Sequence, residues 1–210
     1  METYLTEEER LEALQRWWKD NKSSLFAGLL LGLAVIAGWK MWQGHQTEKA
    51  LQASQTYHQL TQAVEAKQTE SALMLSERLI QQYPATTYAE FARLITAKLK
   101  LAANDLDGAK KALEDAYAKS DDSALKELAR LRLGRVLLAK GELEPALKLI
   151  EPAKANTSGA FAALSEELRG DLLSAAKRPA EARAAYARAK ELGNLSPLLE
   201  LKLNDLPANP

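Results

Sequence analysis

Residues 97–116 read AKLKLAANDLDGAKKALEDA, residues 134–153 read GRVLLAKGELEPALKLIEPA, and residues 170–189 read GDLLSAAKRPAEARAAYARA. Each stretch opens on a small residue and repeats one at intervals of 12 and 7, giving the sets Ala97, Ala109 and Ala116, then Gly134, Ala146 and Ala153, then Gly170, Ala182 and Ala189. The sets recur every 36 or 37 residues. Apolar residues fall at intervals of three and four, so each stretch predicts the end of one helix, a turn and a second helix. A small residue late in the first helix lets the second backbone come close, and the two alanines of the second let it nest against neighbours. Leu113, Ile150 and Tyr186 each stand four residues after the middle alanine, as the large residue that fills the space between helices.

The turns fall at one phase, at Asn104-Asp105, Lys140-Gly141 and Arg178-Pro179. Asn, Asp, Gly and Pro are the residues that break helices, and Pro179 suits a first helical turn, where its missing N–H would have no partner anyway. Upstream, Leu60, Ala72 and Leu79 keep the same spacings as a degenerate fourth unit, with Pro84 twelve residues after Ala72. Working outward, helices are expected over 46–66, 69–82, 86–103, 106–118, 123–140, 143–154, 159–176, 179–191 and 197–204. No strand pattern competes. The last of these, with Leu195, Leu198, Leu199 and Leu203, reads as a cap that closes the stack, with a leucine docking surface as the alternative.

The triad of small residues with a large one between them resembles the tetratricopeptide repeat, whose usual period is 34. The three later units are two or three residues longer and carry Asp121, Ser158 and Asn194 where that family tends to place a closing proline. The fold class expected is all-α: an N-terminal transmembrane helix followed by a tetratricopeptide-like solenoid over 43–204, with a flexible C-terminus over 205–210. Such repeats stack because one helix pair cannot bury its own apolar face.

The chain's mean hydropathy of −0.30 conceals one segment of opposite character. Residues 23–39, SSLFAGLLLGLAVIAGW, hold no charge over seventeen positions, and residues 23–42 are read as a membrane anchor. Trp17 and Trp18 flank it on one side, Trp39 and Trp42 on the other. From Trp18 to Trp39 is 21 residues, or roughly 32 Å of helix, close to the thickness of a bilayer with its aromatic belts. A buried core helix rarely has paired tryptophans outside both ends. A cleaved signal peptide is the other alternative, but Glu7, Glu8, Glu9 and Glu12 precede the apolar run and no small-x-small cleavage site follows it. Gly28 and Gly32 form a small-xxx-small patch where another membrane helix can approach.

Arg10, Arg16, Lys19 and Lys22 precede the span against Lys40 and Lys49 after it, which by the positive-inside rule puts the N-terminus in the cytoplasm and the repeats outside. In a bacterium that is the periplasm. Residues 1–22 are expected to hold a short amphipathic helix over 6–20, whose face of Leu11, Leu14 and Trp18 meets lipid or a partner.

Little in the sequence resembles an active site. The absence of cysteine excludes a disulfide framework and a thiolate nucleophile. His45 and His58 are the only histidines, and no nucleophile–base ordering or phosphate-cradling glycine loop stands out. Formal charge balances at 28 basic and 28 acidic residues with no basic block, so nucleic acid is not an expected partner. No cofactor, metal or catalytic residue is assigned. Tyr57, Tyr83, Tyr88, Tyr117, Tyr186, Phe91 and Phe161 read as packing residues, with a place for some of them on a concave binding face as the alternative.

The whole arrangement resembles the YfgM-like family, ancillary subunits of the Sec translocon. The likeness rests on LQRWWKDN at residues 14–21, LLLGLAVIAGWKMW at 29–42, and alanine-rich repeats beginning near Ser54-Gln55-Thr56-Tyr57, and it extends over essentially all 210 residues. The resemblance implies a non-catalytic, single-pass protein of the bacterial inner membrane with a periplasmic repeat domain. It implies association with the SecYEG channel and the membrane-anchored periplasmic chaperone PpiD, and assistance to newly exported, unfolded proteins. The competing expectation, from architecture alone, is a membrane-tethered scaffold in a division or cell-wall assembly.

Overall fold

The computed structural model describes residues 7–151 and 160–207. The chain separates into two compact units, Met1–Leu51 and Gln52–Pro210.

The helix α1 runs without a break over Glu7–Glu65. The sequence reading placed three elements here, a short amphipathic helix, the anchor and a first repeat helix. They are one helix because nothing in the stretch stops it: the first proline of the chain is Pro84, and an isolated glycine such as Gly44 weakens a helix by only about 1 kcal/mol. Ala153 and the end of the helix expected over 143–154 lie in part outside the described residues. The helix itself, α6, is Leu143–Leu149. Pro152 follows closely in sequence, and a proline disfavours helical geometry in the residue before it.

In the second unit, α2 (Thr69–Gln82), α3 (Thr87–Ala102), α4 (Leu106–Lys119), α5 (Ser123–Ala139), α6, α7 (Ala160–Ala175), α8 (Pro179–Glu191) and α9 (Pro197–Asp205) alternate as first and second members of helix pairs. The last turns of α1 serve as the first member for α2. The pairs stack as the repeat reading requires: all described elements are helical, and successive helices pack on one another from α2 to α9.

Starts and stops are encoded locally. Asp105 Oδ1 accepts from the Gly108 N–H at 2.8 Å, and Asp122 Oδ1 accepts from Ala124 and Leu125 at 2.8 and 2.9 Å. Each satisfies donors that a helix start leaves open. The turn inside every pair uses one residue with a left-handed backbone: Lys67 (φ 57°), Asn104 (58°), Gly141 (74°) and Lys177 (58°). After each, an amide reaches back to the fifth carbonyl before it, Gln68 to Ala63, Asp105 to Lys100, Glu142 to Leu137 and Arg178 to Leu173, all at 2.9 Å. These are Schellman closures. They recur at the repeat period and place the degenerate first unit in register with the other three.

The core obeys a trade in size. Gly170 and Gly134 face the largest partners: a Cβ on Gly170 would lie 2.3 Å from two ring carbons of Tyr186, and one on Gly134 would lie 3.0 Å from Ile150 Cδ1 and 2.9 Å from Leu168 Cδ2. Ala97 stands at the same position with Leu113 as its large residue. In the degenerate first repeat the order reverses, with Leu60 at the small position and Ser76 at the large one, both fully buried. Ser76 Oγ has no hydrogen-bond partner among the described residues. A leucine in the first helix thus goes with a small side chain in the second, which keeps the packed volume similar from repeat to repeat.

Candidate protein-binding surface

The first unit is a helix with no internal core. Its apolar window is entirely unburied and is long and apolar enough to cross a membrane. Trp17 and Trp18 are each 52% exposed, and the rings of Trp39 and Trp42 lie with centroids 5.2 Å apart, tilted 39° to each other. A Cβ on Gly28 or Gly32 would meet nothing within 4 Å, so this stretch of helix surface is bare.

In the second unit the repeat residues lie inside. Ala97, Ala109, Ala116, Ala146, Ala182 and Ala189 are all buried, at most 4% exposed, and Gly134 and Gly170 are buried with them. They form inter-helix contacts, and of them only Ala97 also borders the recess described below. Three of the aromatics cluster as packing residues, with Tyr57 5.3 Å from Tyr88 and 5.8 Å from Phe91. Binding capacity lies on side chains facing away from the stack and in recesses between its helices.

The far end is closed by α9. Leu199 and Leu206 bury against Leu173, Ala182, Tyr186 and Ala189, with Leu203 partly buried beside them. Leu195 and Leu198 stay exposed, so only part of the leucine set expected in the cap does the capping. Polar contacts fix the cap. Lys202 Nζ donates to Glu167 Oε1 at 2.7 Å and to Asp171 Oδ2 at 2.9 Å, while Asn194 Nδ2 donates to Glu167 Oε2 at 2.7 Å. Tyr186 Oη donates to Asp171 Oδ1 at 2.8 Å.

Burial pushes the Glu167 carboxyl up, but Lys202 and Asn194 outweigh it and hold the group below the usual 4.5. Burial likewise disfavours charged Lys202, and Asp171 with Glu167 more than compensate, raising it above 10.5. The Glu167 contribution is therefore complete above its unfolded value and is lost as pH falls through the lower folded one. That of Lys202 is complete below 10.5 and fades as pH rises through its higher folded value. The gap in urea stability between wild type and Lys202→Met is expected to be flat from about pH 6 to 9 and to close below about pH 4. A gap that persists unchanged in acid would show that Lys202 acts by packing alone.

The side of the stack formed by the first members of the pairs carries an apolar recess. It measures about 330 Å³, and its floor is Leu94, Ala97, Leu113 and Val136. Leu101 and Ala139 form its walls, and Lys98, Arg132 and Arg135 its rim. The sequence reading had Ala97 and Leu113 only as packing positions and missed Leu94, Lys98, Leu101, Arg132, Arg135, Val136 and Ala139, because it followed positions that are small in every repeat. The signal lay at a position that varies: Ile95, Arg132 and Leu168 occupy one phase of the period, and only one of the three is charged. Among the described residues no group of three or more His, Asp or Glu side chains could hold a metal ion, and His58 contacts Gln62 at 3.2 Å.

Residues 15–208 match the family described as tetratricopeptide repeat-like domain. Among curated proteins, the chain is 29% identical over 209 residues to the ancillary SecYEG translocon subunit of Escherichia coli, covering 98% of this chain and 99% of that one. It is 34% identical over 122 residues to the protein of the same name from Haemophilus influenzae, an alignment spanning 58% of this chain and 59% of the relative. A third relative of that name, from Aggregatibacter actinomycetemcomitans, is 30% identical over 121 residues, again 59% of its length.

Proposed function

The chain belongs to the tetratricopeptide repeat-like domain family, and from that premise we propose that it is a non-catalytic, membrane-anchored, protein-binding subunit of the Sec export pathway. The observation that carries the reading is the end-to-end similarity to the Escherichia coli ancillary SecYEG translocon subunit, which takes in the anchor as well as the repeats. Repeats alone fit many adaptors. Repeats joined to this anchor narrow the choice, and they favour the translocon over a division or cell-wall scaffold.

In this reading the protein crosses the bacterial inner membrane once, through residues 23–42, with residues 1–22 in the cytoplasm and residues 43–204 in the periplasm. The Lys and Arg excess before the span supports that orientation. Trp17, Trp18, Trp39 and Trp42 sit at the two interfaces, and the bare Gly28–Gly32 face lies against the channel's own helices. The repeat domain then binds the membrane-anchored chaperone PpiD and holds newly exported, unfolded proteins near both.

Site-specific photocrosslinking in living cells from exposed positions such as Lys126 and Lys148 tests the assignment. SecYEG subunits and PpiD should be recovered. Recovery of division or cell-wall proteins with the channel absent would transfer the protein to the scaffold class. A periplasm-dependent reporter fused after Asn204 should be active, and an inactive one reverses the orientation.

A further inference from the structure

The recess between α3 and α5 opens at the middle of three repeat junctions, and the repeat register explains why it opens there. At the junction before it, Leu60 stands at the position of Ala97, and Ile95 packs on the cluster that contains Leu60. At the junction after it, Ile150 and Leu168 both fill the space above Gly134. Only at the middle junction is the first residue small while the facing one, Arg132, is charged and points outward. The gap that leucine or isoleucine closes twice is left open once.

The rim carries a second pattern. Lys98, Arg135 and Asp171 share one phase of the repeat. Asp171 is satisfied within the chain, by Lys202 of α9 at 2.8 Å. Lys98, Arg132 and Arg135 are exposed and make no hydrogen bond or ion pair among the described residues. Glu167 feels Arg135 only as a more distant charge. Where the terminal repeat presents an acid to a lysine of its own cap, the two repeats before it present bases to nothing.

We propose that the α3–α5 recess binds a segment of a partner protein that carries leucine-sized apolar side chains flanked by Asp or Glu. The apolar side chain fills the floor of Leu94, Ala97, Leu113 and Val136. The carboxylates pair with Lys98, Arg132 and Arg135, where arginine favours planar, two-pronged contact. The proposal rests on the protein-binding role argued above and specifies its site and ligand chemistry.

Full-length protein in detergent micelles, titrated with a short fluorescein-labelled peptide of leucines flanked by glutamates, provides the test, with the lysine-flanked peptide as control. The acidic peptide should bind and weaken as salt rises, and the basic one should not bind. Arg132→Leu restores the residue type found at the next junction, so it should close the recess and abolish binding without lowering thermal stability. The pair Arg132→Glu with Arg135→Glu should weaken the acidic peptide about tenfold or more and admit the basic one. Equal binding of both peptides, or undiminished binding by Arg132→Leu, overturns the proposal. So does a loss of self-association on Arg132→Leu with no peptide binding by the wild type, which would assign the recess to a second copy. Failure of the wild type to crosslink to SecYEG would instead remove the export reading and leave the peptide result standing.

Discussion

Gly170→Ala is expected to destabilise the repeat domain by about 2 kcal/mol, although alanine is the better helix former. The added methyl would sit 2.3 Å from Tyr186 Cδ1 and Cε1, far inside van der Waals contact. That ring has nowhere to go: Tyr186 is 3% exposed, and its hydroxyl is tied to Asp171 Oδ1 at 2.8 Å. Overpacking of this kind costs about 1–3 kcal/mol, from which the gain in helix propensity of up to about 1 kcal/mol is subtracted. The clash is severe enough to take the upper part of the range. Gly134→Ala should cost less, because its nearest neighbours are the terminal carbons of Leu168 and Ile150, which can rotate aside. Combining Gly170→Ala with Tyr186→Leu rebuilds the Ala–Leu pair that already works at Ala97 and Leu113. It should recover more than half of the loss in urea unfolding. If the double variant is weaker than the sum of the two single ones, the size trade between these positions is not what shapes the repeat.

That trade also marks how far the sequence could be read. The 12 and 7 spacings and the 36 or 37 period were visible because alanine and glycine hold the same places three times, and the structure places the described members of each set in helix contacts. The degenerate first unit was legible through Leu60, Ala72 and Leu79. Its inverted pair was not, because Ser76 looks like an ordinary polar residue on a helix until its burial is known. The recess on the α3–α5 side escaped for a related reason. A cavity is made by what a position lacks, and Arg132 is informative only against Ile95 and Leu168 at the same phase. Continuity of α1 escaped because the eye divides a chain by composition, whereas a helix stops only where a breaker or a cap intervenes. The buried charges were equally hidden. Arg93, Glu127, Arg130 and Glu166 carry no mark that separates them from solvated neighbours on the same helices, yet all are 9% exposed or less.

Arg130 is where removal of a single buried charge should cost most. It is 1% exposed, and every polar edge of its guanidinium is engaged. Nε donates to Glu127 Oε2 at 2.8 Å, Nη1 to the Leu149 carbonyl at 2.9 Å, and Nη2 to Ser165 Oγ at 3.0 Å and also to Glu127 Oε1. One side chain of α5 therefore ties down the last carbonyl of α6 and a hydroxyl of α7. Arg130→Ala leaves the Glu127 carboxylate buried without its counter-charge and strips donors from Leu149 and Ser165, so a loss of about 3–5 kcal/mol is expected. The pair itself contributes much less than that figure, since both ions also give up hydration when buried. Glu127→Leu with Arg130→Met, which removes both charges and keeps most of the volume, should thus lie within about 2 kcal/mol of wild type. Urea unfolding of the full-length protein in detergent separates the two cases. If Arg130→Met alone proves as benign as the double variant, Glu127 finds water or another partner when the arginine is gone, and the junction of α5, α6 and α7 does not depend on this ion pair.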